Sequence, residues 1–142
     1  SRKEFWEMLR NLKLQGITIL VSTPYMDEAS LCDRIALIQN GQFLKTDTPE
    51  NIVKQYGKKL WAVRSAKMSK LLKDLRKLPQ IESCYAFGDS HHITLRDMNF
   101  TIEDLKVLLQ GTSHHHIEIS EILPSVEDCF MDLSRNDGFV NY

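Results

Sequence analysis

The sequence predicts two consecutive units: an α/β unit over residues 1–57 and an α+β unit over residues 58–142. Three observations support this division. A β-branched run without strict alternation lies near the N-terminus, an Asn-Gly pair stands between two apolar runs, and strand and helix patterns alternate after Gly57. The first unit is incomplete by itself, whereas the second contains a full set of elements.

The first unit opens with an amphipathic helix that begins at Ser1 and ends at Gly16. The apolar run over residues 17–22 is typical of a strand covered on both faces, as in a parallel sheet, and Thr23-Pro24 ends it. The remaining predicted elements are a helix over 25–31, strands over 34–39 and 42–45 joined by Asn40-Gly41, and a helix from Asp47 to Tyr56 that stops at Gly57.

The second unit alternates strands and helices in the order β-α-β-β-α-β, followed by a closing helix. Its predicted strands cover 60–64, 81–87, 91–96 and 116–121, and its predicted helices cover 68–78, 101–110 and 124–133. This order is the signature of a split-βαβ, or ferredoxin-like, module.

Charge is balanced overall but sorted along the second unit. The chain carries 18 basic and 19 acidic residues, a formal net charge of −1, which argues against a dedicated nucleic-acid-binding protein. The helix over 68–78 is basic, and the stretch over 97–137 is acidic. Two solvated faces are the simpler interpretation, and a module that docks by charge complementarity is the alternative. No apolar run approaches the length of a membrane span.

Three cysteines, Cys32, Cys84 and Cys129, lie far apart in apolar segments. This spacing argues against a disulfide framework and a metal site, and it favours a reducing compartment. The apolar neighbours indicate core side chains and not a nucleophile. The sequence also begins without Met and directly in a helix, so we expect it to be a piece of a longer protein.

Two histidine clusters, His91-His92 and His114-His115-His116, are the candidate metal ligands. Strand alternation places neighbouring side chains on opposite faces, so the clusters share a face only if their strands are adjacent. Zinc needs three or four ligands, and surface histidines at strand ends are the simpler interpretation. A free-standing ferredoxin-like module that binds a ligand or a metal is the alternative function.

Two motifs near opposite ends of the chain point to one family. Residues 19–29 read ILVSTPYMDEA, residues 32–38 read CDRIALI, Asn40-Gly41 follows, and residues 124–130 read PSVEDCF. In this order they resemble the end of the ATP-binding subunit of ABC transporters, in the exporter branch that includes drug-resistance pumps. The last motif is similar to the Pro-Ser-Leu-Glu-Asp-Val-Phe that closes the C-terminal extension of those subunits.

The resemblance implies that residues 1–57 are the end of an ATPase domain and residues 58–142 its C-terminal extension. Pro24 stands where the family has its switch histidine, and proline offers neither a titratable group nor an N–H donor. The family's phosphate-binding loop would precede Ser1, and no GxxxxGK[ST] occurs here. We therefore expect no catalytic, cofactor-binding or metal residue in this chain, with ATP and Mg²⁺ bound only by the complete family member.

By the same resemblance, the complete subunit couples ATP binding and hydrolysis to export. It lies on the cytoplasmic face of the membrane, with a membrane permease and a second ATP-binding subunit as partners. Ser125 and Glu127 are expected to stabilise the start of the closing helix, and Phe130 to anchor it in the core. The open apolar edges of residues 17–21 predict a homo-oligomer.

Overall fold

The computed structural model describes residues 1–136. Its helices are α1 (Arg2–Leu14), α2 (Met26–Ala29), α3 (Pro49–Lys54), α4 (Met68–Lys77), α5 (Ile102–Gly111) and α6 (Val126–Asn136). Its strands are β1 (Ile35–Gln39), β2 (Gln42–Asp47), β3 (Leu60–Arg64), β4 (Ile81–Phe87), β5 (Ser90–Leu95) and β6 (Glu118–Ile122). Strands β1 and β2 form an antiparallel hairpin, and the other four form an antiparallel sheet in the order β4-β5-β3-β6.

The helix starts follow from local capping chemistry. The Ser1 hydroxyl accepts the backbone N–H of Glu4, whose side chain reaches back to Ser1, and this capping box starts α1. Thr48 caps α3 by accepting the backbone N–H of Asn51. Thr101 starts α5 by the same reciprocal pattern as Ser1. The helix starts predicted at these three positions are therefore confirmed.

The hairpin between β1 and β2 follows the Asn-Gly signal. Asn40 and Gly41 both have positive φ, 51° and 75°, as a two-residue turn of the I′ type requires. Strand β2 continues to Asp47, two residues further than predicted. Its Asp47 carboxylate then accepts the backbone N–H of Thr48 at 2.7 Å, which carries the chain directly into α3.

Residues 17–22, predicted as a strand covered on both faces, belong to no sheet in the described chain. A strand forms only where another strand completes its hydrogen-bond ladder, and residues 1–136 place none beside this segment. Leu20 is consequently 98% exposed. The expected parallel pairing is also wrong for the described residues, since all of their strand pairs are antiparallel.

Two predicted boundaries change for identifiable reasons. Strand β6 begins at Glu118, two residues later than predicted, because His116 has a φ of 55° and cannot continue an extended strand. The helix predicted over 25–31 is confined to α2, which begins after Tyr25 without a hydrogen bond from a capping side chain.

The larger of two apolar clusters joins one face of the four-stranded sheet to α4 and α5. Ile93 and Val63 from the sheet, Leu71 and Leu75 from α4, and Leu105 from α5 are all completely buried. Full burial of such a side chain is worth about 1.5–3 kcal/mol relative to exposure, so this cluster holds the sheet and both helices together.

The smaller cluster crosses residue 57 and is completed by α6. Ala29, Ile52 and their neighbours pack against Val126 and Cys129. The Cys129 thiol also lies 3.7 Å from the carbonyl oxygen of Ile52. Helix α6 therefore packs against α2 and α3 and completes a core that begins about 100 residues earlier in the chain.

Candidate functional site

The segment that contains Pro24 is held beside the start of the chain. The Thr23 hydroxyl accepts the backbone N–H of Tyr25 at 3.1 Å, and Pro24 between them is exposed. The guanidinium carbon of Arg2 lies 4.4 Å from the Tyr25 ring centroid, and Arg2 Nε donates to the buried carboxylate of Glu28 at 2.6 Å. This hydrogen bond raises the pKa of Arg2. Arg2 thus fixes the position of the turn and of α2, which follows it.

Helix α2 is covered on its other side by α6. Ala29 is buried against Val126, and the half-buried Met26 and Phe130 pack on the same cluster. Phe130 is therefore a core contact, as predicted. These contacts tie α2, which begins two residues after Pro24, to α6.

Helix α6 begins with a reciprocal cap that involves Asp128. The Ser125 hydroxyl and backbone N–H donate to Asp128 Oδ2 at 2.8 and 2.9 Å, and the Ser125 hydroxyl in turn accepts the Asp128 N–H at 3.3 Å. Ser125 therefore stabilises the helix start, as predicted. Glu127 is exposed and lies in the first turn of α6, where a negative charge is favourable. Sequence reasoning missed Asp128, although the Ser-x-x-Asp spacing resembles a capping box.

Asp128 also bonds to the sheet. Its Oδ1 accepts from His92 Nδ1 at 2.7 Å, and the His92 ring stacks on Phe87 with 4.2 Å between ring centroids. Asp128 is 5% exposed, so this bond lies in a place largely shielded from water. One carboxylate therefore joins the start of α6 to strand β5.

A network of half-buried ion pairs continues along α6. Lys58 Nζ lies 2.8 Å from Asp132 Oδ1 and 3.5 Å from Glu82 Oε2. Arg135 Nη2 lies 3.3 Å from Glu82 Oε1 and 3.4 Å from Asp132 Oδ1. Burial and the nearby acidic groups, Asp128 first among them, raise the pKa of Tyr56. These contacts hold α6 against the residues that precede β3 and against β4.

The histidines do not assemble into a metal centre within residues 1–136. His91 Nε2 donates to the Met68 carbonyl at 2.8 Å, and His114 Nε2 donates to Asp74 at 2.7 Å. His91 and His92 lie on β5, the second cluster precedes β6, and β3 separates these two strands. Among the described residues, no group of three or more His, Cys, Asp or Glu side chains is placed to hold a metal ion.

The three cysteines lie in surroundings typical of core residues, where burial raises the pKa of the thiol. Burial raises the pKa of Cys84 to about 12 and that of Cys129 to about 11, and it also raises the pKa of the half-buried Cys32. Because the thiolate is the reactive form, these environments oppose nucleophilic chemistry. The prediction of core cysteines is confirmed for Cys84 and Cys129, which are buried.

No helix within residues 1–136 has the length and apolar character that a membrane crossing requires. No family model matches the chain. The probable multidrug ABC transporter ATP-binding protein YbhF of Escherichia coli is 31% identical over 140 residues, which cover 97% of this chain and 24% of that protein.

Two further relatives align over a similar length. The Nod factor export ATP-binding protein I of a Rhizobium species is 27% identical over 139 residues, or 96% of this chain and 43% of that protein. A daunorubicin resistance ATP-binding protein of Streptomyces coeruleorubidus is 26% identical over 139 residues, which cover 94% of this chain and 43% of that protein. The chain spans 24–43% of the length of these three relatives, and over most of its own length it is homologous to ABC transporter ATP-binding proteins.

Proposed function

We propose that this chain is the C-terminal part of the ATP-binding subunit of an ABC exporter. Residues 1–57 complete the ATPase domain, and residues 58–142 form a ferredoxin-like extension. The observation that carries the proposal is the alignment with the E. coli relative, which runs through 97% of this chain at 31% identity. An alignment of this length includes both proposed units.

The topology of the second unit supports a ferredoxin-like fold. Counted within this unit, the strands lie in the order 2-3-1-4, all neighbours are antiparallel, and two helices cover one face. A split-βαβ arrangement produces this order because each helix connects strands that are not adjacent in the sheet.

Exposed apolar residues support the assignment of the first unit to a larger domain. Helix α1 buries none of its residues, and Leu14 and Leu20 are 79% and 98% exposed. Ile17 is also 47% exposed. In a complete ATPase domain, a sheet and its helices would cover these side chains, which removes their apolar surface from water.

In the complete subunit, Pro24 would face the terminal phosphate of ATP in place of the switch histidine. ATP and Mg²⁺ would be held by residues outside this chain, and the subunit would work at the cytoplasmic face of the membrane. Its partners would be a membrane permease and a second ATP-binding subunit. Because proline cannot donate a hydrogen bond to developing phosphoryl charge, this site would bind ATP but hydrolyse it slowly.

A chimera tests the proposal. This chain would replace the aligned segment of the Rhizobium relative, and ATP affinity and phosphate release would be measured at saturating Mg-ATP. We expect ATP to bind as tightly as it binds to the relative and turnover to fall by about 10²–10³, the usual cost of losing one preorganised donor. Pro24→His should restore turnover with little change in affinity.

Pro24→Ala is the matched control, since it removes the ring without supplying an imidazole. A chimera that folds but does not bind ATP would contradict the family assignment. Equal turnover in the Pro24→His and Pro24→Ala variants would instead contradict the role given to Pro24 and leave the family assignment standing.

A further inference from the structure

A stripe of lysines follows the solvent-exposed side of α4 and of the residue that precedes it. Its members are exposed and are spaced three or four residues apart: Lys67, Lys70, Lys73 and Lys77. Such spacing places side chains along one side of a helix. The opposite side of α4 is apolar, and its Leu71 and Leu75 are completely buried in the larger cluster. The sheet therefore holds α4 with this lysine stripe facing water.

Most of the charge of the lysine stripe is uncompensated. Within the described chain, Lys70 is the one member whose ammonium group has a partner: it donates to the Thr112 carbonyl at 2.7 Å, and it lies 3.9 Å from Asp74 Oδ2. Asp74 is the single acidic residue between positions 67 and 77, and it also accepts from His114 Nε2 at 2.7 Å. Arg76 is not part of the stripe, because its guanidinium donates to a backbone carbonyl of β4.

The second unit has a basic side and an acidic side. Helix α4 packs on β4, which is one edge strand of the sheet, and α5 packs on β6, which is the other. Exposed carboxylates lie on α5 and β6, those of Glu103, Glu118 and Glu121. An extended negatively charged partner therefore meets attraction at α4 and repulsion at the β6 edge.

The length of the lysine stripe determines the kind of anion that it fits. From position 67 to position 77 a helix rises about 15 Å, which is too far for one small anion to contact all four ammonium groups. The partner must carry several negative charges along an extended surface. A nucleic acid has such charges, but the formal net charge of −1 is unlike that of a nucleic-acid-binding protein.

The side chains around the stripe favour a lipid surface over a protein. Protein interfaces are rich in arginine and aromatic residues and poor in lysine. Every large apolar side chain that is exposed in residues 1–136 lies outside positions 67–77, so a protein partner would find no apolar anchor here. The lysine ammonium is a hydrated point charge on a flexible stem, without the fixed fork of arginine. It suits headgroups that have no fixed register.

From these observations we propose that the lysine stripe binds the surface of an anionic lipid bilayer. Helix α4 lies along the headgroups, and the acidic edge at β6 points away from them. Attraction of this kind acts only within a Debye length of the surface, about 8–10 Å at physiological salt. The stripe therefore orients the second unit on a bilayer reversibly, without insertion. The proposal does not depend on Pro24, on ATP binding or on the function proposed above.

Co-sedimentation of the 142-residue chain with lipid vesicles tests the stripe. One set of vesicles contains phosphatidylcholine alone, and the other contains phosphatidylcholine with phosphatidylserine. We expect binding that requires phosphatidylserine and weakens steeply as salt rises. The neutral vesicles also control for the exposed apolar side chains of residues 1–57, because their contact with lipid needs no anionic headgroup.

Charge variants tie vesicle binding to α4. Lys73→Gln and Lys77→Gln should each weaken binding about fivefold, which corresponds to about 1 kcal/mol for each lysine near a charged membrane surface. The double variant should weaken it about 25-fold. Lys73→Arg keeps the charge and should bind as the native chain does. Lys54→Gln is the matched control, since it removes an exposed lysine from α3, and it should have no effect.

Thermal unfolding of each variant shows whether the fold is retained. If Lys73→Gln unfolds, Lys77→Gln alone decides the question. Equal binding to both kinds of vesicle, binding that does not respond to salt, or equal losses in Lys54→Gln and Lys73→Gln would overturn the proposal. Light scattering without vesicles tests a second copy as the partner. Salt-sensitive self-association that Lys73→Gln abolishes would assign the stripe to the acidic edge of another copy, and it would also overturn the proposal.

Discussion

Asp128→Ala is expected to lower the free energy of unfolding by about 2–4 kcal/mol. The side chain is 5% exposed and accepts three hydrogen bonds, two from Ser125 and one from His92. Loss of a helix cap costs about 1 kcal/mol. Leaving a largely buried partner such as His92 unsatisfied costs about 1–3 kcal/mol more. The variant also removes the hydrogen bond between α6 and β5, one of the contacts that hold α6 on the sheet.

Urea unfolding followed by far-UV circular dichroism measures this change, provided that the slope against urea concentration is unchanged. Glu127→Ala is the matched control because it removes a neighbouring but exposed carboxylate, and we expect a change within about 0.5 kcal/mol. Asp128→Asn keeps one carbonyl acceptor and should lie between the two. If Asp128→Ala is no less stable than Glu127→Ala, the buried bonds do not stabilise α6 as we argue.

Three further predictions concern the isolated chain. It should not bind Mg-ATP, since it has no phosphate-binding loop, and calorimetric binding tighter than about 100 μM, or about −5.5 kcal/mol, would contradict this. The chain should dimerise or swap domains through residues 1–57, and a monomeric mass by light scattering would contradict this. At pH 8, Ellman's reagent should modify Cys32 before Cys84 and Cys129. Burial raises the pKa of Cys84 to about 12 and that of Cys129 to about 11, so their reactive thiolate forms are rare. Simultaneous reaction of all three cysteines would show that burial does not control their reactivity.

Local signals in the sequence predict most of the elements because their causes lie within a few residues. Ser1, Thr48 and Thr101 begin helices through bonds to residues three positions away. Asn40-Gly41 forms its turn because both residues tolerate positive φ. The spacing of apolar residues and the capping residues therefore suffice to predict the order β-α-β-β-α-β. They also place most element boundaries to within a few residues.

Long-range pairing is what these local signals cannot predict. Residues 17–22 have the composition of a strand, but composition does not supply the neighbouring strand that a ladder needs. The bond between His92 and Asp128 spans 36 positions and depends on how α6 lies across the sheet.

Helix α6 also sets the order in which the chain can finish folding. The smaller apolar cluster needs Val126 and Cys129, and Cys129 follows Ile52 by 77 positions. At synthesis rates of about 5–20 residues per second, that interval lasts roughly 4–15 s. During this time the apolar side of α3 has no partner from α6, while the sheet that lies between them in sequence emerges and can fold first. A growing chain therefore exposes this surface to chaperones and proteases for seconds, long after its local hairpin and helices have had time to form.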